Sequence, residues 1–548
     1  MGLWISRDVY ARPLITIVAE ELDRIDSVLQ QQPVPPHWMA IEVVDIHRFS
    51  VEAANGATTE PHQGHERIAD IDIRVGTPQL DNTHKIRDAG WFDSDDRVLL
   101  SLPLTEESEP AIKQAIWRAF DDGYRSAVKR LMKVQANQSV KVAQQDLSDD
   151  FSAAPTSTAI ETIPQFEIDA EQWRNQLRAS SARLAGIEHI EDSNIGIMAT
   201  LRIRTIVTTE GTQIQIPSTL FRISAWAKTT AADGMELSIS EYVDARSEEG
   251  LPTEAEFDQL IDSLVHRLAE LQKAPVVEPA TAPAILRGRA AAVFFHEVLG
   301  HRVEGHRQKD EDEGQTFTDK IGEPVLPAFI SVYDDPTLTS IDGVDLNGSY
   351  THDNEGVKAQ RVTIVDRGIL RNFLTSRSPI EGFPHSNGHG RREPGNAVVS
   401  RQGNLIIEAH KQLSSTALRT RLLNEIRRQN KEYGFIVDDI TGGFTFTGRV
   451  TPNAFAVQPV TVWRVWADGR PDDLVRGVDL IGTPLTTFKQ ILAASNEREV
   501  FNGSCGAESG WVPVSATAPS LLIGEIEVQR SEKEHDRPPL LSPPRVQQ

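Results

Sequence analysis

Apolar residues recur at helical spacing from Leu14 through Val18, Leu22 and Ile25 to Leu29, directly after Pro13, whose fixed φ suits a first helical turn. The pattern predicts an amphipathic helix. Ile71, Ile73 and Val75 alternate with Asp70, Asp72 and Arg74, which predicts a half-buried strand ending at Gly76. A second helix is predicted over Ala111 to about Val134. From Gln135 to about Pro164 the chain turns polar and loses its period, as an exposed connector does. A helix over Ala170 to Leu184 then leads into strands at Ile195 to Val207, Thr212 to Ile216, Phe221 to Ala227 and Met235 to Tyr242. Glu210-Gly211 and Asp233-Gly234 supply turns of a meander.

A helix over Glu254 to Gln272 is followed by Lys273-Ala274-Pro275 and a run to Pro283 that reads as a domain boundary. Beyond it strands dominate: Ala328 to Tyr333, Arg361 to Val365, Asn404 to Glu408, Val460 to Trp466 and Leu521 to Val528. One helix, Ser415 to about Lys431, carries Leu418, Leu422 and Ile426 on one face. The expected organisation is an N-terminal domain over 1–282, interrupted by the connector at 135–164, and a β-rich domain over 283–530. The charged, Pro-rich residues 531–548 are expected to be disordered.

At 548 residues the chain is too long for one ordinary core, which agrees with two domains. Its 56 basic and 79 acidic residues leave a formal charge of -23, which repels phosphate backbones and anionic lipid at long range. Nucleic acid and membrane are therefore not expected as partners. No run approaches the roughly 18 apolar residues of a membrane span, so a soluble, cytoplasmic protein is expected. Met1 to Ser6 fits an N-myristoylation pattern, but one short enough to arise by chance. A single cysteine, Cys505, rules out an internal disulfide.

Residues 290–306 read as an apolar helical run that abruptly carries His296, Glu297 and His301. Burying that trio needs a reason. Histidines four apart on a helix share a face, whereas a five-residue step turns through roughly 140°, too far for both imidazoles to reach one ion about 2 Å away. A π-bulge would restore the alignment, and Gly300 would tolerate it. Glu297 is then placed to accept a proton from a water whose pKa the ion lowers. A zinc site needs at least one more ligand. Glu304, His306 and Cys505 are all candidates, the last lying in the small-residue segment Gly503-Ser504-Cys505-Gly506, read as a loop.

Phe295-His296-Glu297-Val298-Leu299-Gly300-His301-Arg302-Val303-Glu304-Gly305 resembles the signature of the TldD/PmbA metallopeptidases, also known as modulators of DNA gyrase. Further blocks agree in order: Thr209-Glu210-Gly211, Asp353-Asn354-Glu355-Gly356, Asn387-Gly388-His389-Gly390-Arg391-Arg392-Glu393, Gly442-Gly443-Phe444 with Phe446, and Asn502-Gly503-Ser504-Cys505-Gly506. His306 departs from the acidic residue the family commonly has after Glu-Gly. The resemblance implies an α+β protein, with an N-terminal α/β domain followed by a β-rich, barrel-like catalytic domain. It also implies a TldD-like zinc metallopeptidase in which His296, His301 and Cys505 hold Zn2+ and Glu297 is the base. Peptides or unfolded polypeptide segments would be substrates, and a homodimer, or a heterodimer with a PmbA-like subunit, would enclose the site. Asn387, His389 and Arg391 are candidate substrate-binding residues, and His352, His389 or Arg391 could donate to an oxyanion. The rival reading is a non-catalytic subunit in which a metal merely pins distant segments together.

Overall fold

The computed structural model describes residues 12–86, 99–105, 108–138, 146–310, 313–445, 447, 455–482 and 484–531. The Met1 to Ser6 pattern, Phe446, the tail from 532 and positions 139–145 of the connector lie outside the described residues.

Helix α1 (Leu14–Leu29) starts at Pro13 and buries the predicted stripe. Long strands β1 (Pro36–Ala54), β2 (His62–Thr77), β3 (Asp192–Thr208), β4 (Gln213–Thr230) and β5 (Glu236–Ala245) follow. They pair antiparallel in the order β2-β1-β3-β4-β5. Met39, Ile41 and Val43 of β1 pack with α1 and α2 (Glu109–Gln138), whereas Phe49, Val51 and Ala53 pack with α3 (Ala170–Ala182) and α4 (Glu254–Lys273). All six are odd-numbered, and side chains alternate along a strand, so the two helix pairs cover opposite ends of one sheet face. The opposite face presents Glu42 of β1 with its cross-strand neighbours Arg204 and Ile206 of β3. That face meets the C-terminal half: Arg392 Nε donates to Glu42 Oε2 at 3.2 Å, and Arg204 Nη2 donates to the His352 carbonyl.

Two expectations change here. The break expected between Thr212–Ile216 and Phe221–Ala227 does not exist, because β4 runs through Pro217. On its outer edge β4 pairs with Thr158–Ile160 at 213–215 and with β5 from Phe221 onwards. Among the described residues this leaves 216–220 without a partner on that edge, where a proline is tolerated. The connector is also not uniformly exposed, since Asp150, Phe151 and Ser152 are buried. Phe151 lies 4.8 Å from the Trp38 ring, and Arg377 Nε donates to the Ser152 carbonyl at 2.9 Å. A single aromatic anchor in a polar stretch has no period to reveal it.

In the second half, β6 (Ala280–Leu286), β7 (Tyr433–Thr445), β8 (Phe455–Trp466), β9 (Val478–Gly482), β10 (Ile491–Ala507) and β11 (Gly510–Arg530) supply the main sheet. The pairings β6-β7, β7-β8, β8-β9, β9-β11 and β11-β6 close a ring, which is the barrel-like element. From β11 the sheet continues outward through Asn404–Ala409, Ile330–Asp334 and Val362–Asp366. Helix α5 (Gly288–Val298) packs against β7, β10 and β11, and Ala290 to Phe295 are each at most 2% exposed. An all-round apolar helix belongs in such an interior. Helix α6 (Ser415–Arg428) covers the outside with Leu418, Leu422 and Ile426 against Ile285, Ile436 and Leu522. The fold is thus mixed α+β with a β-rich second half. No helix among the described residues is long and apolar enough to cross a membrane.

Candidate metal centre

The histidine spacing is accommodated without the expected π-bulge. Helix α5 stops at Val298, Leu299 departs from ideal dihedrals (φ -104, ψ -53), and Gly300–Val303 wind as a tighter 3-10 turn. Because the α-helix ends between His296 and His301, the 140° argument for an unbroken helix no longer applies. Arg302 secures the break, its Nη1 donating to the Glu297 carbonyl at 3.1 Å, the Val298 carbonyl at 3.2 Å and Thr445 Oγ1 at 2.7 Å. These are carbonyls that a helix end leaves open. Gly300 is needed for space rather than for bending, since a Cβ there would lie 1.9 Å from Gln402 Oε1.

Cys505 comes from a strand and not from a loop: it sits on β10 opposite Val512 of β11 and packs with Val512 and Val514. Strand pairing therefore fixes the height at which the sulfur meets the helix end. Cys505 Sγ lies 3.2 Å from His296 Nε2 and 3.3 Å from His301 Nε2, and one donor atom from each of the three residues lies within 4.8 Å of the others. All three residues are buried. Around a tetrahedral zinc, neighbouring nitrogen and sulfur ligands stand roughly 3.5 Å apart, so the donor set and its spacing fit that ion.

The electrostatics agree. Burial alone would push the Cys505 thiol up, yet the imidazoles of His301 and His296 hold it well below its usual range, towards the thiolate that binds metal. Behind His301, Glu304 Oε2 accepts from Nδ1 at 3.1 Å, which leaves Nε2 free to face the sulfur. Burial opposes ionisation of Glu304, but His301, Arg307 and Arg401 hold its carboxyl well below the ordinary range. Arg401 also ties the two halves of the site, its Nη2 donating to the Cys505 carbonyl at 2.7 Å while Nε lies 3.3 Å from Glu304 Oε1. Gln402 Nε2 reaches the His296 carbonyl at 3.4 Å.

Glu297 differs from its neighbours. Among the described residues its carboxylate has no hydrogen-bond partner, and the nearest ion-pair contact is His301 Nε2 at 3.9 Å. It faces a cleft of about 600 Å3 whose walls include Val293, Thr445, Phe501, Glu508 and Trp511 together with the triad. A carboxylate left without a donor beside three converging ligand atoms is poised for proton transfer.

The other candidates fall elsewhere. His306 pairs with Glu508 through Nε2 rather than joining the triad. Asn387 is spent on the backbone, with Oδ1 accepting from Thr375 N at 2.8 Å and Nδ2 donating to the Phe373 carbonyl at 2.8 Å. His389 is fully buried between Asn387 Oδ1 at 2.9 Å and Asp334 Oδ1 at 3.2 Å. Neither lines the cleft, so neither is placed to bind a substrate there. Arg391 lies under Tyr350 and lines a different chamber, and His352 is held by Ser157 Oγ at 2.8 Å. None of His352, His389 and Arg391 lines the cleft, whereas Arg307, Thr445 and Thr447 do. Glu304, a candidate third ligand from its place three after His301, instead holds His301 from behind. Arg401, Gln402 and Arg307 look in the sequence like ordinary polar positions.

Asp353 and Glu355 of the acidic-Gly stretch are buried side by side beneath Gly390, where a Cβ would meet Glu355 Oε2 at 2.5 Å and Asp353 Oδ2 at 3.2 Å. Burial, and then the Glu355 carboxylate, pushes Asp353 up to about 7 from its ordinary 3.8. Burial likewise raises Glu355. A carboxyl that keeps its proton longer in the fold than in the unfolded chain stabilises the fold fully below the lower value and loses that contribution as pH rises through the upper one. The melting temperature is therefore expected to fall between about pH 4 and about pH 7, and Glu355→Gln to flatten part of that fall. A slope that is unchanged in Glu355→Gln refutes the pair as its source.

Comparison with known proteins bears on the same region. Residues 279–530 match the family model described as the PmbA/TldA metallopeptidase C-terminal domain. A metalloprotease of Methanocaldococcus jannaschii is 28% identical over 250 residues, 45% of this chain and 51% of that protein. A metalloprotease TldD homolog of Haemophilus influenzae is 28% identical over 270 residues, 48% of this chain and 51% of that protein. The chain thus spans about half the length of these two relatives. The fold extends further: the crystal structure of TldE from Thermococcus kodakarensis superposes with a TM-score of 0.61 at 14% identity, covering 93% of this chain and 99% of that one. Residues 279–530 are thus similar to the PmbA/TldA metallopeptidase C-terminal domain, and the fold over most of the chain is that of TldE.

Proposed function

We propose that this chain is a zinc-dependent peptidase acting on peptides or unfolded polypeptide segments, with His296, His301 and Cys505 holding the ion and Glu297 as general base. The observation that carries this reading is the convergence of two imidazoles and a thiolate beside a carboxylate that has no hydrogen-bond partner among the described residues. A nitrogen and sulfur donor set favours zinc over harder ions, and zinc bound there would supply a Lewis acid and lower the pKa of a nearby water. Glu297 takes the proton from the attacking water and returns it to the departing amine, both from its place on the cleft wall. Arg302 keeps Glu297 oriented by fixing the last turn of α5.

An extended substrate suits the cleft. Over residues 498–507, β10 pairs with β11 on one side, and among the described residues its other edge has no strand partner there. Such an edge offers backbone groups to a chain of any sequence. Trp511, at 63% exposure, stands on the cleft wall and supports a dimer, of two copies or with a PmbA-like subunit, that covers it. Removing metal with a chelator is expected to abolish hydrolysis of an unstructured peptide, and about one zinc per chain to restore it. Hydrolysis unaffected by a chelator that leaves the chain free of zinc overturns the reading.

A further inference from the structure

A second chamber, of about 330 Å3, lies where the helix-free face of the N-terminal sheet meets the C-terminal half. Its walls carry Arg202 and Arg204 from β3, Arg246 just after β5, and Arg391, with Tyr350 and Asn347 between them. Little of this charge is neutralised. Among the described residues the guanidinium groups of Arg202 and Arg246 have neither a hydrogen bond nor an ion pair. Arg391 is 7% exposed, and its polar contact is the Gln402 carbonyl, with the Tyr350 ring 4.8 Å from its guanidinium. Arg204 Nη1 is 3.8 Å from Glu42 Oε1, but Glu42 already accepts from Arg392 and Asn354.

The acids nearby do not balance this set. Glu161 is exposed at the rim, and the Asp353 oxygens accept the backbone N–H groups of Glu355, Val357 and Gly390. Burial pulls Arg202 and Arg391 below the ordinary guanidinium range, and the like charge of Arg204 adds to both shifts. In a chain with 79 acidic residues against 56 basic ones, arginines gathered around a cavity whose lining carboxylates are Glu161 at the rim and Asp353, already bonded to backbone N–H groups, are not a random surface patch. Half-buried guanidinium groups left without partners are costly unless an anion completes them.

We propose that this chamber is a binding site for a small oxyanion ligand, one that presents a carboxylate or a phosphate to Arg202, Arg246 and Arg391. The planar fork of arginine matches both groups, and Tyr350 and Asn347 supply neutral polar atoms beside it. The site is separate from the metal centre, although Val512 and Pro513 in its wall adjoin Trp511 and Val514 in the wall of the cleft.

The test is calorimetric titration of the full chain with inorganic phosphate and, separately, with succinate, at constant ionic strength in chloride. Saturable binding of at least one of the two is expected, weakened about tenfold or more in the double variant Arg202→Gln, Arg246→Gln. Both side chains are partly exposed, so the variant should fold, and its melting curve without anion checks that. Tighter phosphate marks a phosphorylated ligand, and tighter succinate marks a carboxylate. Arg498→Gln, which alters an exposed arginine paired with Asp342, should bind as the parent does. No binding above chloride, or equal binding by parent and double variant, overturns the proposal.

Discussion

Glu297→Gln is expected to lower kcat for peptide hydrolysis by roughly 10^2 to 10^4, the usual contribution of a positioned general base, while zinc content stays that of the parent. The substitution preserves shape. Among the described residues the Glu297 side chain has no hydrogen-bond partner to lose, and its closest ion-pair contact is at 3.9 Å. The backbone carbonyl through which Arg302 holds the helix end is untouched. The fold and the triad should therefore persist, and KM should change little, because the carboxylate acts on the proton rather than on the substrate's bulk. Zinc determination and steady-state kinetics on one preparation decide the matter. A variant that keeps its metal and loses less than about tenfold in kcat removes Glu297 from the chemistry. One that loses its metal shows that the carboxylate is a ligand instead.

The parts of this picture that were legible in the chain are those with a period or a fixed short spacing. Helix α1 was readable from Leu14 to Leu29, and α4 from its apolar spacing, because each buries one stripe against a sheet. The predicted strands were likewise found, but their joins were not: Thr212–Ile216 and Phe221–Ala227 are one strand through Pro217, because sequence does not show which edge of β4 lacks a neighbour. At the site, His296, Glu297 and His301 stand out locally as polar residues in an apolar run. How the backbone joins them did not, since the 3-10 turn depends on Arg302, on Thr445 and on the Gln402 side chain packed over Gly300. Cys505 lies 204 positions after His301. It was one of three candidates by residue type, the family resemblance singled it out, and β10-β11 pairing, a long-range property, brings it into place. Arg401 had no such pointer, although with Glu304 it locks the Cys505 strand to the His301 turn.

Cys505→Ala is expected to weaken zinc binding by about 100-fold or more, since loss of an outer partner of a ligand alone costs 10- to 100-fold and this change removes a ligand. Cys505 is 6% exposed, its sulfur beside two imidazoles and packed with the β11 valines, so its loss leaves a small void and should cost the metal-free fold about 1 kcal/mol. The two effects can be separated in one experiment. Zinc at 100 times its dissociation constant stabilises the parent by about 2.7 kcal/mol, so the parent's melting temperature should rise with zinc and fall back with a chelator. In the variant the two curves should nearly coincide, close to that of the chelated parent. Peptide hydrolysis should vanish with the metal. If instead Cys505→Ala binds zinc as the parent does, the sulfur is only a buried neighbour of His296 and His301, and the third ligand must be sought elsewhere around the cleft. Glu297 would then be the first candidate, since its carboxylate is the next acidic group to His301 Nε2 at 3.9 Å, and the base would have to be reassigned with it.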